Sequence, residues 1–370
     1  MKENLFGITP THLRALSGQL GMPAYRGRQL AEWLYAQHAV DLSEMTNISK
    51  ADRTRLSERF EIRHADPIDR RVSADGTLKY AFRAEPAERT DGAPRKRPHA
   101  EAERRATAHV ESIRVVEATV IPDGERRTLC LSTQIGCARR CAICATGRLG
   151  FHGNLAADAI LDQFERLPER EHITNVVYMG MGEPLDNIGA VLESLAVFTD
   201  DAGYGLSPRR ITVSTIGIPE PLERLLAESE AHVAVSLHSP FPAERRRLIP
   251  AEHRHPVSET LEVLRRYRWG GQRRLSFEYA LIDHTNDTEA HAKAIARLIE
   301  GIPARMNLIP VNRADTGFTP PAAPRIEAFQ RALLNAGVRT TIRASRGADI
   351  DAACGLLAGR VSTPGGSSQD

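Results

Sequence analysis

The sequence has no long apolar run and no apolar segment behind its amino terminus. No stretch of the 370 residues approaches the roughly 20 consecutive apolar residues that a membrane-spanning helix needs. Met1 to Asn4 are followed by no apolar core of the kind that a secretory signal contains. The hydrophobic fraction, 41%, and the charged fraction, 26%, are those of an ordinary globular protein. We therefore expect a cytoplasmic protein with no membrane partner, and a monomer.

Lysine is scarce, with only five in the chain, so that 44 of the 49 basic residues are arginine. A net charge of +2 is too small to indicate a nucleic-acid partner by itself. Arginine presents a rigid fork of donors to phosphate groups, which suits an RNA-binding protein. A GC-rich genome produces the same bias, and composition alone does not separate the two explanations.

Cysteine is also scarce, and its spacing is uneven. Five cysteines lie at positions 130, 137, 141, 144 and 354. An odd, clustered set in a cytosolic protein indicates a metal site or catalysis rather than a framework of structural disulfides.

Hydrophobic periodicity divides the chain into four segments. Residues 1–65 predict a small helical accessory domain, and residues 66–114 predict a β-hairpin connector. Strands and helices alternate over residues 115–360, which predicts an α/β fold with a parallel sheet in a partial (β/α) barrel. Residues 361–370 are polar and rich in glycine and serine, and predict a disordered tail. The eight strands predicted for the barrel are 115–121, 128–132, 175–179, 210–215, 232–237, 274–281, 305–310 and 338–344.

A charged segment, 84–107, interrupts the connector. It holds six basic and five acidic residues and no Ile, Leu, Val or aromatic residue. Such a segment cannot bury enough apolar surface to offset its ordering entropy, so we predict a mobile insertion. An RNA-binding arm is the alternative interpretation.

The most informative motif is a C-x3-C-x2-C loop formed by Cys137, Cys141 and Cys144. Three thiolates at this spacing can hold three irons of a 4Fe-4S cluster, and the missing fourth cysteine leaves one iron open. The amine and carboxylate of S-adenosylmethionine (SAM) can chelate that iron, and one electron then cleaves SAM to a 5′-deoxyadenosyl radical. The alternative is a structural zinc site with His152 as the fourth ligand, although zinc sites more often use paired C-x2-C units.

This spacing resembles the signature of the radical SAM superfamily, and residues 128–147 resemble the RlmN/Cfr-type RNA methyltransferases. Ile143 departs from the superfamily pattern, which usually has an aromatic residue before the third cysteine. The likeness covers nearly the whole chain, including Phe6-Gly7 and residues 25–29 of the helical domain, but not the charged insertion. It implies a 4Fe-4S cluster and two SAM molecules per turnover as cofactors.

The resemblance also assigns roles to residues outside the cysteine loop. It implies that Cys354 carries the methyl group, that Cys130 resolves an RNA adduct and closes a disulfide with Cys354, and that Glu117 accepts a proton. Short polar or glycine motifs at successive strand ends match the family's SAM-contacting positions. These positions are Gly182, Glu183, Ser214, Ser236, Leu237, His238 and Asn312.

The implied reaction methylates carbon 2 of an adenine, which is too electron-poor to attack SAM directly. One SAM methylates Cys354, and a second supplies the radical that activates this methyl group for addition to the base. The resemblance implies two substrates, the peptidyl-transferase-centre adenosine of 23S rRNA and the adenosine 3′ to the anticodon in tRNA. It also implies an electron donor such as flavodoxin with its reductase.

Three alternatives remain open at this stage. The nearest is methylation of carbon 8 of the same rRNA adenosine, the Cfr-type resistance reaction, which uses the same cysteines. A radical SAM enzyme acting on a protein or a small molecule would leave Cys130 and Cys354 incidental. A zinc-stabilised RNA-binding protein would have no catalytic activity.

Overall fold

The computed structural model describes residues 2–87, 114–312 and 317–359. Apart from its first four residues, the predicted mobile insertion at 84–107 lies outside these ranges, as does the predicted disordered tail at 361–370. Every helix in the described ranges is too short or too polar to cross a bilayer.

Fourteen strands form three sheets within the described residues. The strands are β1 Glu3–Asn4, β2 Phe60–Glu61, β3 Pro67–Val72, β4 Leu78–Arg83, β5 Val115–Asp123, β6 Arg126–Cys130, β7 Gln134–Gly136, β8 Phe151–Asn154, β9 Asn175–Tyr178, β10 Ile211–Thr215, β11 His232–Ser236, β12 Leu275–Leu281, β13 Ala304–Pro310 and β14 Thr340–Ile342.

Eleven α-helices accompany them in the same part of the chain. The helices are α1 Pro10–Gln19, α2 Tyr25–Ala31, α3 Lys50–Arg59, α4 Ala145–Leu149, α5 Ala157–Glu165, α6 Ile188–Thr199, α7 Pro219–Glu228, α8 Pro242–Leu248, α9 Val257–Arg266, α10 Glu289–Leu298 and α11 Ala323–Asn335. A π-helical turn, Glu32–Ala36, continues α2.

The main sheet has ten strands in the order β14-β13-β12-β11-β10-β9-β6-β5-β4-β3. The strands from β6 to β14 in this order pair in parallel, and β3, β4 and β5 extend the sheet in antiparallel fashion. The sheet ends at β14 on one side and at β3 on the other, so it is an open, partial barrel. The prediction of a partial (β/α) barrel is confirmed.

The parallel strands are buried because helices lie between them in sequence and cover the sheet. Val176, Val213, Val233 and Val235 are at most 1% exposed. Branched apolar side chains at such positions are typical of parallel strands that are covered on both faces. The carboxyl ends of these strands therefore meet at one edge of the sheet, where a ligand can bind.

The helical amino-terminal region contacts α5 of the barrel through a row of carboxylates. Asp158 accepts from Asn4 at 2.8 Å, and Asp162 contacts His64 at 2.7 Å. Glu165 contacts His38 at 3.0 Å and accepts from the hydroxyl of Tyr204 at 2.8 Å. These acidic residues stand one helical turn apart, so a single face of α5 holds the accessory region against the barrel.

Candidate active site

A cavity opens at the carboxyl ends of the parallel strands and brings most of the predicted site together. Its wall contains all three cysteines of the loop, Cys354, and the strand-end residues Gly182, Glu183, Ser214, Ser236, His238 and Asn312. Leu237 does not line this cavity, because its side chain is fully buried in the core. Cys130 and Glu117 lie behind the wall rather than on it.

The cysteine loop follows the short strand β7 and is held by its neighbour β8. The amide of Cys137 donates to the carbonyl of Gly150 at 2.8 Å, and the amide of Cys144 donates to the carbonyl of Cys141 at 3.2 Å. A Cβ on Gly147 would lie 2.9 Å from the amide nitrogen of Cys141, so glycine lets α4 approach the loop closely. The result is a compact turn whose three thiols face one cavity.

The donor set of this loop suits a cluster better than a single ion. Among the described residues, no group of three or more His, Cys, Asp or Glu side chains could hold one metal ion. His152, the zinc ligand of the alternative interpretation, is exposed, and its Nε2 contacts the carbonyl oxygen of Leu149 at 2.8 Å. Three thiols on one wall, with the His152 ring engaged by a backbone carbonyl, fit a 4Fe-4S cluster that keeps one iron free for SAM.

Glu183 is 4% exposed and occupies the floor of the cavity. Its carboxylate accepts from the Thr215 hydroxyl at 2.6 Å and from the Ile216 amide at 3.0 Å, while burial raises its pKa to about 7. A buried carboxylate of this kind is stabilised in its charged form by a cationic ligand, and the ammonium group of SAM is such a ligand.

His238 lies in the left-handed region, with φ 57°, just after β11. Its Nδ1 accepts from the amide of Ala280 at 2.9 Å, and burial, with the nearby charge of Arg245, lowers its pKa to about 3. The ring is therefore neutral at physiological pH. Its proton sits on Nε2, which makes that nitrogen a hydrogen-bond donor.

The two remaining cysteines are neighbours at the cavity wall, which Cys354 lines and Cys130 does not. Cys130 is buried at the end of β6, and Cys354 is exposed on the carboxy-terminal loop; neither forms a disulfide. Burial raises the pKa of Cys130 to about 12, and the neighbouring Cys354 adds to this effect. The side-chain Nδ2 of Asn312 donates to the backbone carbonyl of Cys354 at 3.0 Å, which ties the loop to the chain just after β13.

Arg343 and Glu278 are functional candidates that the sequence did not reveal. Both line the cavity, and Arg343 lies 3.4 Å from Glu278. Surrounding protein atoms raise the pKa of the Cys354 thiol, and the positive charge of Arg343 opposes this rise. Both residues lie on strands that were predicted, but no short motif marks an arginine placed beside a distant cysteine.

Arg245 is a second residue that was missed. Its neighbours in sequence, Arg246 and Arg247, are exposed, but Arg245 itself is only 1% exposed. Its guanidinium donates to the carbonyls of Ile216, Ser236 and Leu237, at the ends of β10 and β11, and pairs with Glu252. It therefore fixes the strand ends that form one side of the cavity.

Comparisons with known proteins agree with this site. Residues 3–62 match the family described as ribosomal RNA large subunit methyltransferase N-terminal domain, and residues 131–298 match the radical SAM superfamily. A probable dual-specificity RNA methyltransferase RlmN from Porphyromonas gingivalis is 45% identical over 95% of this chain and 96% of its own length. Dual-specificity RNA methyltransferase RlmN from Marinobacter nauticus is 38% identical over 97% and 94%.

A solved structure gives the same result. A radical SAM methyltransferase from Sphaerobacter thermophilus superposes with a TM-score of 0.80 at 35% identity, covering 96% of this chain and 99% of that one. Membership of the radical SAM superfamily brings a 4Fe-4S cluster and SAM as cofactors. The chain belongs to the RlmN family of radical SAM RNA methyltransferases.

Proposed function

We propose that this enzyme methylates carbon 2 of adenosine in 23S rRNA, at the peptidyl-transferase centre, and in tRNA, 3′ to the anticodon. The observation that carries the proposal is the position of Cys354. Its loop reaches the wall that the cysteine triad and the strand ends also form, and Cys130 lies behind it. This arrangement suits a methyl group that is first loaded onto Cys354 and then transferred to a base.

Within this proposal, Cys137, Cys141 and Cys144 would hold the cluster, which would supply the electron for SAM cleavage. Gly182, Glu183, Ser214, Ser236, His238 and Asn312 would bind SAM. Leu237, which the resemblance also implies, has its side chain in the core, and its amide already donates to the carbonyl of Glu278. Glu183 would accept from the SAM ammonium, since its buried carboxylate gains most from a cationic partner. His238 would donate from Nε2, because Nδ1 is already engaged.

The surroundings of the two cysteines suit different roles within this proposal. The thiolate is the nucleophile in methyl transfer from SAM. A pKa of about 12 keeps Cys130 protonated, so it would not compete for the methyl group. Burial also raises the pKa of Cys354, and the positive charge of Arg343 opposes that rise. Cys130 would act later, when the covalent RNA adduct is resolved and a disulfide forms between the two sulfurs.

Glu117 enters the proposal as the proton acceptor of the family. It is fully buried, and its Oε2 accepts from the amides of Ala358 and Gly359 at 2.8 and 3.0 Å. To reach a base in the cavity, this carboxylate would first have to release both amides.

A basic rim beside the cysteine loop supports RNA as the substrate. Residues 138–157 contain three arginines and no acidic residue. Arg140, Arg148 and His152 are exposed, and the ring of Phe151 is 48% exposed on β8, opposite Gly136. Arginine neutralises phosphates, and an exposed aromatic ring can stack on an unpaired base, so this rim suits single-stranded RNA around the target.

We further propose a cytoplasmic monomer that receives electrons from a donor such as flavodoxin and its reductase. The disulfide between Cys130 and Cys354 would be reduced by thiol exchange before the next turnover.

Nucleoside mass spectrometry tests the reaction. Unmodified 23S rRNA and tRNA would be incubated anaerobically with the enzyme, SAM and a reductant, then digested to nucleosides. The proposal expects 2-methyladenosine from both RNAs. A product of 8-methyladenosine would keep the cysteine roles but assign the Cfr-type reaction instead. No methyladenosine, with an intact cluster, would refute RNA adenosine as the substrate.

A further inference from the structure

The loop that carries Cys354 is held on both sides of the cysteine by one buried ion pair. Lys79 of β4 and Glu117 of β5 lie on adjacent strands, with Nζ and Oε1 separated by 3.2 Å. Their side chains are 4% and 0% exposed. A buried pair of this kind is costly to desolvate, so further hydrogen bonds must stabilise it.

Those further bonds go to the loop. Three residues before Cys354, the carbonyl of Asp351 accepts from Lys79 Nζ at 3.3 Å. Four and five residues after Cys354, the amides of Ala358 and Gly359 donate to Glu117 Oε2. The pair therefore grips the two ends of a loop whose centre is the proposed methyl carrier.

The backbone of this loop needs such a restraint. Asp351 has φ 54°, in the left-handed region, which residues other than glycine adopt only at some cost. Gly355 has φ 82°, and a Cβ there would lie 2.9 Å from the carbonyl oxygen of Ile143, in the cysteine loop. A small shift of either end would thus move Cys354 relative to the cluster-binding residues.

We propose that Lys79 and Glu117 are positioning residues that clamp the loop and set Cys354 for methyl loading. The clamp acts before RNA is engaged, whereas a proton acceptor acts on the RNA adduct. This proposal rests on the proposed function, because it takes Cys354 as the methyl carrier.

The two roles of Glu117 predict different phenotypes, and Lys79 separates them. Glu117→Gln keeps the size of the side chain and an oxygen that can accept from both loop amides, but it removes the negative charge that pairs with Lys79. Lys79→Met removes the contact to Asp351 and leaves Glu117 without its counterion. Lys79→Arg restores a cation and should rescue part of the lost function. Lys293→Met is the matched control, since Lys293 pairs with Glu289 on an exposed helix face.

The experiment uses cluster-loaded protein without RNA and measures how fast Cys354 gains an isotope-labelled methyl group from SAM. Intact-protein and peptide mass spectrometry follow the label. The clamp predicts that Lys79→Met and Glu117→Gln both slow this loading about tenfold or more, the scale of losing one charge-assisted hydrogen bond. In Lys79→Met, the KM for SAM and the RNA-independent reductive cleavage of SAM should stay near wild type, as should every property of the control. These two readouts exclude a simple loss of folding.

Contrary results are equally specific. Wild-type loading in Glu117→Gln together with RNA trapped covalently on Cys354 would assign Glu117 to the adduct and overturn the clamp. Wild-type loading in Lys79→Met would overturn it as well. If the wild-type protein itself gains no methyl group on Cys354, the proposed function fails, and the clamp with it.

Discussion

Replacing Arg245 by Met tests whether one buried side chain fixes the strand ends of the active site. The guanidinium donates to the carbonyls of Leu237, Ile216 and Ser236 at 3.0, 2.9 and 2.9 Å. Burial lowers the pKa of Arg245, and the neighbouring carboxylate of Glu252 opposes this effect. Arginine stays charged in proteins, so the guanidinium is a buried cation, with a counterion that is 3% exposed.

Methionine has a similar length but supplies no donor. Breaking a buried ion pair by removing one partner costs about 3–5 kcal/mol, because the other charge is left uncompensated. Each buried carbonyl that loses its donor adds to this loss, although such effects are not additive. We expect the free energy of unfolding to fall by about 4 kcal/mol or more.

Urea unfolding under anaerobic conditions measures the change in the free energy of unfolding. Equal m-values for the wild type and the variant would show that only stability has changed. Arg246→Met is the control, since Arg246 lies exposed on the same helix. The double variant Arg245→Met/Glu252→Gln removes the uncompensated charge and should be more stable than Arg245→Met alone. A loss within about 1 kcal/mol for the single variant, or no recovery in the double, would refute the reasoning.

Three further predictions concern the loop, the rim and the resolving cysteine. Cys130→Ala should trap RNA covalently on Cys354, seen as a shifted band on a denaturing gel; absence of that band would contradict the role given to Cys130. Phe151→Ala should weaken RNA binding by about 1–3 kcal/mol, the worth of one stacked base, while RNA-independent SAM cleavage stays unchanged; Leu334→Ala, also exposed, is the control. Partial desolvation raises the pKa of Asp75, but hydrogen bonds from Thr77 and from the Gly347 amide outweigh this effect and lower the pKa to about 2. Its stabilising effect is present above the unfolded pKa and is lost as pH falls through about 2, so Asp75→Asn should cost roughly 1 kcal/mol at pH 7, discounted for exposure, and clearly less near pH 2. An equal cost at both pH values would contradict this assignment.

Much of the fold was predictable because periodicity is a local property. All eight strands predicted for the barrel are present, including His232–Ser236, whose apolar run is what a covered parallel strand requires. Helix α8, Pro242–Leu248, was not predicted because three consecutive arginines, Arg245 to Arg247, interrupt its short apolar pattern. The short pair β7 and β8 was missed because three or four residues carry too little pattern.

The site was predictable where its residues form a motif and not where the fold brings single residues together. The cysteine triad and the strand-end residues follow from spacing and resemblance, and the cavity contains all of them except Leu237. Arg343, just after β14, Glu278 of β12 and Lys79 of β4 reach the same region from strands that are far apart in sequence. Their contacts depend on sheet order, and sheet order is set by the whole chain rather than by any local segment.

The most direct test of the account follows one methyl group from protein to RNA. Protein carrying an isotope-labelled methyl group on Cys354 would be mixed with unlabelled SAM, reductant and 23S rRNA for a single turnover, and the nucleosides would be analysed by mass spectrometry. The account predicts that the labelled carbon appears in 2-methyladenosine. An unlabelled methyl group in the product, with the label still on Cys354, would contradict it.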